Sequence, residues 1–531
     1  MFVGGGAMYL NDAIGKAGID YICMHHEQAL TMAAEAYARI TGRPSVCIVT
    51  TGPGGINALN GVAGAWLDSI PMIVISGQVR LPMMRTGTLR QMGDQELPIV
   101  DIVKPITKMA EVVTKVEDVA YLLAKAENVS KTGRPGPVWL DIPMDIQGAE
   151  YPNQVHIIVS KEYYEDPVDS NLENIVRRID AAKRPVIIAG NGIRLSHAYT
   201  TFLRFLEKTK IPVALSFDAK DLLSTDHPQN LGIFGTIGQQ KTNDIIQEAD
   251  LLLILGCRMN VRQTGYNFGE LGKNAVKIMV DIDRDELNKY IFIPDYTVCL
   301  DIGRFLYYMN TTVNHENWLL AAKPPTASSI WMWDTDSKRF SLKHVMQSLS
   351  IQIKDQQNVI VSTNGMASVY SARYLSIAEG DRYIVNSGLS SMGYGLPAAI
   401  GAALASQKRT ICFEGDGSLQ LNIQELQTLK YLNLPVKVFV VNNEGYSSIK
   451  RTQDNYFQGN YVGCTEKTGV SFPSLRRIAE AYQLPYVNLC TYTDCDRRIK
   501  EVLDQSGPVI CEVQADPNEI PYKAVYKGGK G

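Results

Sequence analysis

Gly415-Asp416-Gly417 is followed, after residues 418 to 441, by the pair Asn442-Asn443. Between them the chain reads as an amphipathic helix, LNIQELQTLKYL, then Pro435, then an apolar strand, VKVFVV, that ends at the asparagines. A strand–loop–helix–strand unit of this kind brings Asp416 and Asn443 to one sheet edge. A carboxylate, an amide oxygen and a nearby backbone carbonyl form a hard oxygen shell suited to Mg²⁺. Glycines on either side of the aspartate leave room for a phosphate to approach the backbone. A plain strand-to-helix turn beside an exposed Asn pair is the simpler alternative. The full spacing, with a helix and a strand enclosed, favours the diphosphate–metal reading.

Three further stretches could carry chemistry. Glu27 opens an Ala-rich segment whose Ala33, Ala34, Ala36 and Ala38 permit close packing, and the glycine-rich loop TTGPGGINALNG follows at Thr50 to Gly61. Alone, an acidic residue in a first helical turn only complements the helix dipole. His25 and His26, just before it, read as packing or surface residues. The stretch SGLSSMGYGLPAAIGAA, Ser387 to Ala403, could be no more than a tight turn before a helix. In LGCRMNVRQTG, Leu255 to Gly265, Arg258 and Arg262 could be solvated loop cations.

The elements that must position these residues fall into three blocks of alternating strand and helix signals. The first runs over residues 1–155 with strands at SVCIVTT, MIVISG and PVWLDIP. The second, 170–310, has RPVIIAG, IPVALS, LLLILG and KIMVDID; the third, 341–520, has NVIVS, RTICFEGDG, VKVFVVNN and GPVICEVQAD. Short strands apolar throughout are expected in parallel sheets covered on both faces. The expected fold class is α/β, three doubly wound parallel-sheet domains in tandem. A Tyr- and Asp-rich stretch near 151–170 and a stretch at 311–340 holding Pro324-Pro325 and WMW read as linkers.

The chain of 531 residues is long enough for that. A net charge of −3 gives no electrostatic case for nucleic acid or an anionic membrane. Nine scattered cysteines without a C-x-x-C argue against a disulfide framework or zinc site, and lead us to expect a reducing, cytoplasmic compartment. No apolar run reaches the ~18 residues of a transmembrane helix.

Together these motifs resemble the thiamine diphosphate (ThDP) enzymes, and in particular the acetolactate synthase group, over nearly the whole chain. GRPGPVWLDIP (Gly133 to Pro143), DQELPIVDIVKPITK (Asp94 to Lys108), the DID at 281–283 and GPVICEVQADP add to the likeness. The resemblance implies a pyrimidine-binding, a central FAD-binding-like and a diphosphate-binding domain. Asp416, Asn443 and the carbonyl of Gly445 would hold Mg²⁺, with Gly415, Gly417, Ser418 and Tyr446 around the diphosphate. Gly52, Pro53 and Asn57 would line the pyrimidine side, where Glu27 hydrogen-bonds the aminopyrimidine and drives the tautomer that deprotonates the thiazolium carbon. Met392 would be the wedge that bends the cofactor, and the carbonyl of Ser390 would accept from its amino group. Arg258 and Arg262 match the stretch that holds FAD, and Arg262 and Gln95 would also face substrate. The implied activity is decarboxylation of a 2-keto acid, pyruvate, with transfer of the two-carbon unit to a carbonyl acceptor. The implied assembly is a homodimer or homotetramer with sites at the subunit interface.

The departures fall on one side. Asp94 stands where the family carries Phe, Thr452 where it carries an acceptor-pocket Trp, Met366-Ala367 where it carries Gln-His, and Asn260-Val261 where it carries two acidic residues. Met1 also sits almost on the GGGAM turn that the family reaches after a helix and a strand, which reads as a shortened or misassigned start. Loss of the Trp wall and a carboxylate at the entrance favour a bulky, polyhydroxylated acceptor over a second anionic keto acid, and hence a nucleotide-linked keto-sugar. The alternatives are acetolactate synthase proper and a non-catalytic ThDP-fold subunit. A simple decarboxylase or oxidase is disfavoured by the absence of that group's His-His pair after the first glycine loop.

Overall fold

A computed structural model describes residues 1–152, 171–313, 340–354 and 356–519. Most of both expected linkers, including Pro324-Pro325 and WMW, lies outside the described residues.

Three parallel sheets follow one another along the chain. The first contains β1 (Ser45–Val49), β2 (Met72–Gln78), β3 (Met109–Val112) and β4 (Pro137–Pro143) in the order β1-β2-β4-β3. The second contains β5 (Pro185–Ala189), β6 (Val213–Leu215), β7 (Asn230–Ile233), β8 (Leu251–Leu255), β9 (Val276–Asp281) and β10 (Tyr296–Cys299), ordered β10-β9-β8-β5-β6-β7. The third contains β11 (Val359–Ser362), β12 (Arg382–Val385), β13 (Thr410–Gly415), β14 (Val436–Asn442), β15 (Tyr486–Leu489) and β16 (Val509–Gln514), ordered β12-β11-β13-β14-β16-β15. Central strands such as β2, β4, β5 and β8 are buried at every residue, as helices on both faces require.

Doubly wound sheets bind ligands beyond the carboxyl ends of their strands, where the winding direction reverses. In the second sheet that point falls between β5 and β8, and in the third between β11 and β13. The Gly190-Asn191-Gly192 turn and Arg258 lie at the first of these; Asn364 and Asp416 lie at the second.

The first and third domains share a core. The helices Glu27–Thr41 and Gly395–Ser406 cross so closely that a Cβ on Gly401 would lie 1.9 Å from the carbonyl oxygen of Ala33. One apolar cluster accordingly runs from Met24, Ala33 and Val74 through Tyr394 and Ala399 to Val438 and Ile510. The central domain is joined to the third by Lys220, whose buried ammonium donates to the carbonyls of Ala372 and Leu375, both at 2.6 Å, at the end of the helix Gly365–Tyr374. Among the described residues no helix is long and apolar enough to cross a membrane.

Candidate active site

Parallel pairing of β13 with β14 sets Gly415 opposite Val441, so the turn after β13 meets the turn after β14. Asp416 is 5% exposed. Its Oδ1 accepts from the N–H of Gly417 at 2.7 Å and its Oδ2 from the N–H of Asn443 at 3.2 Å. Burial nevertheless lifts the Asp416 carboxyl to about 6, so its charge would gain from a divalent cation at this point. The Asn443 amide nitrogen donates to Ser447 Oγ at 2.7 Å, which fixes the orientation of the amide. Gly445 has φ +137, and a Cβ there would lie 2.3 Å from the carbonyl oxygen of Cys464. At Gly417 a Cβ would strike the Tyr446 ring at 2.3 Å. These three groups fit a hard cation carrying a diphosphate.

The single helix expected over 421–432 is interrupted. A turn of helix at Asp416–Leu419 and a 3-10 turn at Gln420–Asn422 precede the helix Glu425–Leu432. The break lies beside Asn422, whose buried amide donates to the carbonyl of Gly393 at 2.8 Å and contacts Met32 Sδ at 3.6 Å. Three residues on, Glu425 Oε1 accepts from the N–H of His25 at 3.0 Å. The segment that begins at the metal loop thus reaches the start of the Glu27 helix.

Glu27 is the first residue of its helix and is 5% exposed. His26 is the N-cap, its Nδ1 accepting from the N–H of Gln28 at 3.0 Å. Asn57, on the helix Pro53–Leu67, donates to Glu27 Oε2 at 3.1 Å. A Cβ on Gly54 would come within 3.3 Å of Glu27 Oε1, so the glycines of this loop leave the carboxylate open on one side. Gly52 holds φ +59 directly against the carbonyl of Gln95, which a Cβ would approach to 2.3 Å, and Pro53 starts the helix. Gln95 is itself left-handed at φ +59.

Ser390 also has positive φ, +55, and its carbonyl accepts from Asn364 Nδ2 at 2.9 Å. Ser391 Oγ donates to Asn60 Oδ1 at 2.6 Å, one helical turn along from Asn57. Ser418 Oγ accepts from the N–H of Gly393 at 2.8 Å. The loop carrying Met392, which is itself half-buried, is therefore bonded to both the metal segment and the Asn57 helix.

The two arginines separate. Arg258 donates to Asp68 Oδ1 at 3.2 Å and to the carbonyl of Leu67, and it lines a cleft of about 790 Å³ at the β5/β8 reversal. Gly190, Gly192, Gly256, Asp281 and Gln263 line the same cleft, and Gln263 Oε1 is buried there without a hydrogen-bond partner. The site, the glycine turn and the unsatisfied acceptor fit a nucleotide. Arg262 is not among the cleft residues. Its guanidinium donates to Ser390 Oγ at 3.1 Å and lies 5.2 Å from the centre of the Phe217 ring. Asp94 and Thr452 are both exposed, and no hydrogen bond joins them; Thr452 Oγ1 bonds the carbonyl of Ser448 within its own helix.

Sequence reasoning did not single out Glu35, Arg39, Asp68, Asn422, Glu425 or Gln263. The i,i+4 spacing of Glu35 and Arg39 was a signal for an ion pair; Asp68, Asn422 and Glu425 depend on contacts between domains, and Gln263 on its burial in the central cleft.

Residues 1–97 match the family described as "Thiamine pyrophosphate enzyme, N-terminal TPP binding domain", residues 172–309 its central domain, and residues 363–513 its C-terminal TPP binding domain. The chain is 30% identical over 530 residues to the "Acetolactate synthase isozyme 2 large subunit" of Escherichia coli (strain K12), covering 99% of this chain and 94% of that one. It is 32% identical over 554 residues to "Acetolactate synthase 1, chloroplastic" of Nicotiana tabacum, covering 99% and 81% respectively.

Proposed function

The chain belongs to the thiamine diphosphate enzymes of the acetolactate synthase type, which form carbon–carbon bonds, and within that family we propose that it decarboxylates pyruvate and transfers the two-carbon unit to a nucleotide-linked keto-sugar. The donor half is supported by a buried Glu27 held by Asn57 and, separately, by the oxygen set of Asp416, Asn443 and Gly445.

ThDP, when bound, would supply the electron sink for decarboxylation of a 2-keto acid. The protein's own residues do the rest. Asp416, the Asn443 amide and the Gly445 carbonyl would hold Mg²⁺ at the diphosphate-binding end of the site. Glu27 holds a proton at its carboxylate and exchanges it with the aminopyrimidine, the role of a general acid–base. Asn57 keeps that carboxylate aimed. Met392 and the Ser390 carbonyl shape the site from the opposite loop. Gln95, Arg262, Asp94 and Thr452 would face the substrates, and Arg258 would hold FAD in the β5/β8 cleft. Two copies of the chain complete the sites between them.

The exposed Asp94 and Thr452, in place of an apolar wall, support the sugar acceptor. A second 2-keto acid is the competing acceptor, favoured by full-length similarity to acetolactate synthases. Supplying pyruvate alone, then with a panel of nucleotide-linked keto-sugars, separates the two by product mass. New sugar masses at the expense of acetolactate support the first. Rapid acetolactate formation unaffected by any sugar establishes the second.

A further inference from the structure

Asp68 closes the helix Pro53–Leu67, and its side chain has no exposed surface. Four donors from three domains converge on it. Arg39 reaches Oδ2 at 2.7 Å and the N–H of Ser387 reaches the same oxygen at 3.1 Å; Arg258 reaches Oδ1 at 3.2 Å and the N–H of Gly388 at 3.0 Å. No space remains at this junction, since a Cβ on Gly388 would lie 2.6 Å from Oδ1.

The same network holds the far end of the loop. Arg39 Nε donates to Glu35 Oε1 at 2.7 Å, and the hydroxyl of Tyr394 donates to Glu35 Oε2 at 2.5 Å. The segment from Ser387 to Tyr394, which carries Ser390 and Met392, is thereby tied at both ends to one buried carboxylate–guanidinium–carboxylate chain. The other side of Asp68 opens on the central domain, for Asp68, Ser387 and Arg258 all line the β5/β8 cleft. Asp68 lies where that cleft meets the start of the Met392 loop, with Ser387 of the loop also on the cleft wall.

We propose that Asp68 is a positioning residue through which a dinucleotide in the central cleft fixes the Met392 loop and tightens the binding of ThDP. The proposal rests on the nucleotide reading of that cleft. Arg258 keeps 23% of its side chain exposed while Asp68 keeps none, so solvent screens the pair only from the cleft side. A ligand covering that side excludes the water and strengthens the ion pair, which holds the N–H groups of Ser387 and Gly388 against Asp68. Because linkage is reciprocal, ThDP should tighten the dinucleotide by the same factor.

The test uses the full-length protein stripped of flavin. FAD binding is followed by flavin fluorescence, and ThDP with Mg²⁺ is titrated by circular dichroism with and without saturating FAD. The wild type is expected to bind ThDP at least about fivefold more tightly with FAD present. In Asp68→Asn, which keeps the side-chain size and one acceptor oxygen, the two ThDP affinities should converge while FAD still binds. Arg258→Gln, which leaves Asp68 its other three donors, should remove the difference as well at an FAD concentration where the flavin signal shows the variant saturated, and serves if Asp68→Asn does not fold. Thermal melting of each variant checks the fold, and a merely structural role would lower the melting temperature without touching the ratio. An unchanged ratio in the folded variants, or a wild-type ratio of one with FAD bound, overturns the proposal. FAD that never binds the wild type shows in the flavin signal before any ThDP is added; it defeats the nucleotide reading itself and the coupling with it.

Discussion

The Asp416 turn with Glu27 and the exposed positions Asp94 and Thr452 differ in how their residues are held. Asp416, Asn443 and Glu27 are buried, and each is fixed by at least one hydrogen bond from another element. Asp94 stands on a loop, and Thr452 on the helix Ser447–Phe457, which buries none of its residues. A substitution in the first group strands a buried polar partner; one in the second strands nothing. The residues proposed to handle the cofactor are thus tied into the fold, while those proposed to meet the acceptor stand where side chains can change freely. Of the departures from the family, Asp94 and Thr452 are exposed, whereas Ala367 is buried and Asn260 caps the helix Val261–Thr264.

Substitutions at four positions test this contrast. Glu27→Gln should lower turnover by about 10²–10⁴-fold, the usual contribution of a general acid–base, while ThDP still binds. A variant keeping more than about a tenth of the wild-type rate removes Glu27 from that role. Asp416→Ala should lose Mg²⁺ and weaken ThDP by at least about 10-fold, seen by titrating ThDP with and without the metal; an unchanged affinity would contradict the metal assignment. Glu425→Ala should reduce kcat by about 10-fold through the unpaired N–H of His25, whereas Glu425→Gln, which still offers an oxygen, should recover most of it. Equal losses in both would mean that Glu425 acts by its charge. Thr452→Trp should leave pyruvate decarboxylation within about twofold and shift the acceptor preference toward keto acids, as one apolar wall alters specificity by about 1–3 kcal/mol. A Trp variant with the wild-type product ratio would break the link between Thr452 and acceptor choice.

The eleven strands read from the sequence are apolar runs, and most lie inside their sheets. The five that escaped notice, β3, β7, β10, β12 and β15, are all sheet edges. An edge strand is covered less completely, so its apolar signal is diluted; β7 and β15 alternate buried and half-buried positions, and β10 has one buried residue in four. The site divides on the same physical ground. Asp416 with Asn443 and the Glu27 helix were legible because short-range spacing and parallel pairing bring their parts together. Asp68 and Glu425 were not, because their partners lie 320 and 400 residues away, at Gly388 and His25. The role of His26 was local but ambiguous, as a histidine nitrogen caps a helix less often than Ser, Thr, Asp or Asn.

Lys220 gives the joint between the central and third domains a dependence on pH. Burial pushes its ammonium down to about 7, against about 10.4 for an unfolded lysine. Between those values the unfolded chain binds the extra proton, so the folded state gains stability as pH rises through that window, by on the order of 1 kcal/mol per unit at most. Deprotonation takes away nothing the joint needs, since a neutral amine still has two N–H groups for the two carbonyls it meets. The neighbouring Tyr383 ring, 5.7 Å away, keeps its own proton throughout, because burial raises that phenol to well above its ordinary value. Thermal midpoints measured from pH 6 to 9 should therefore climb in the wild type and climb less in Lys220→Gln; parallel curves would show that the joint does not sense protons.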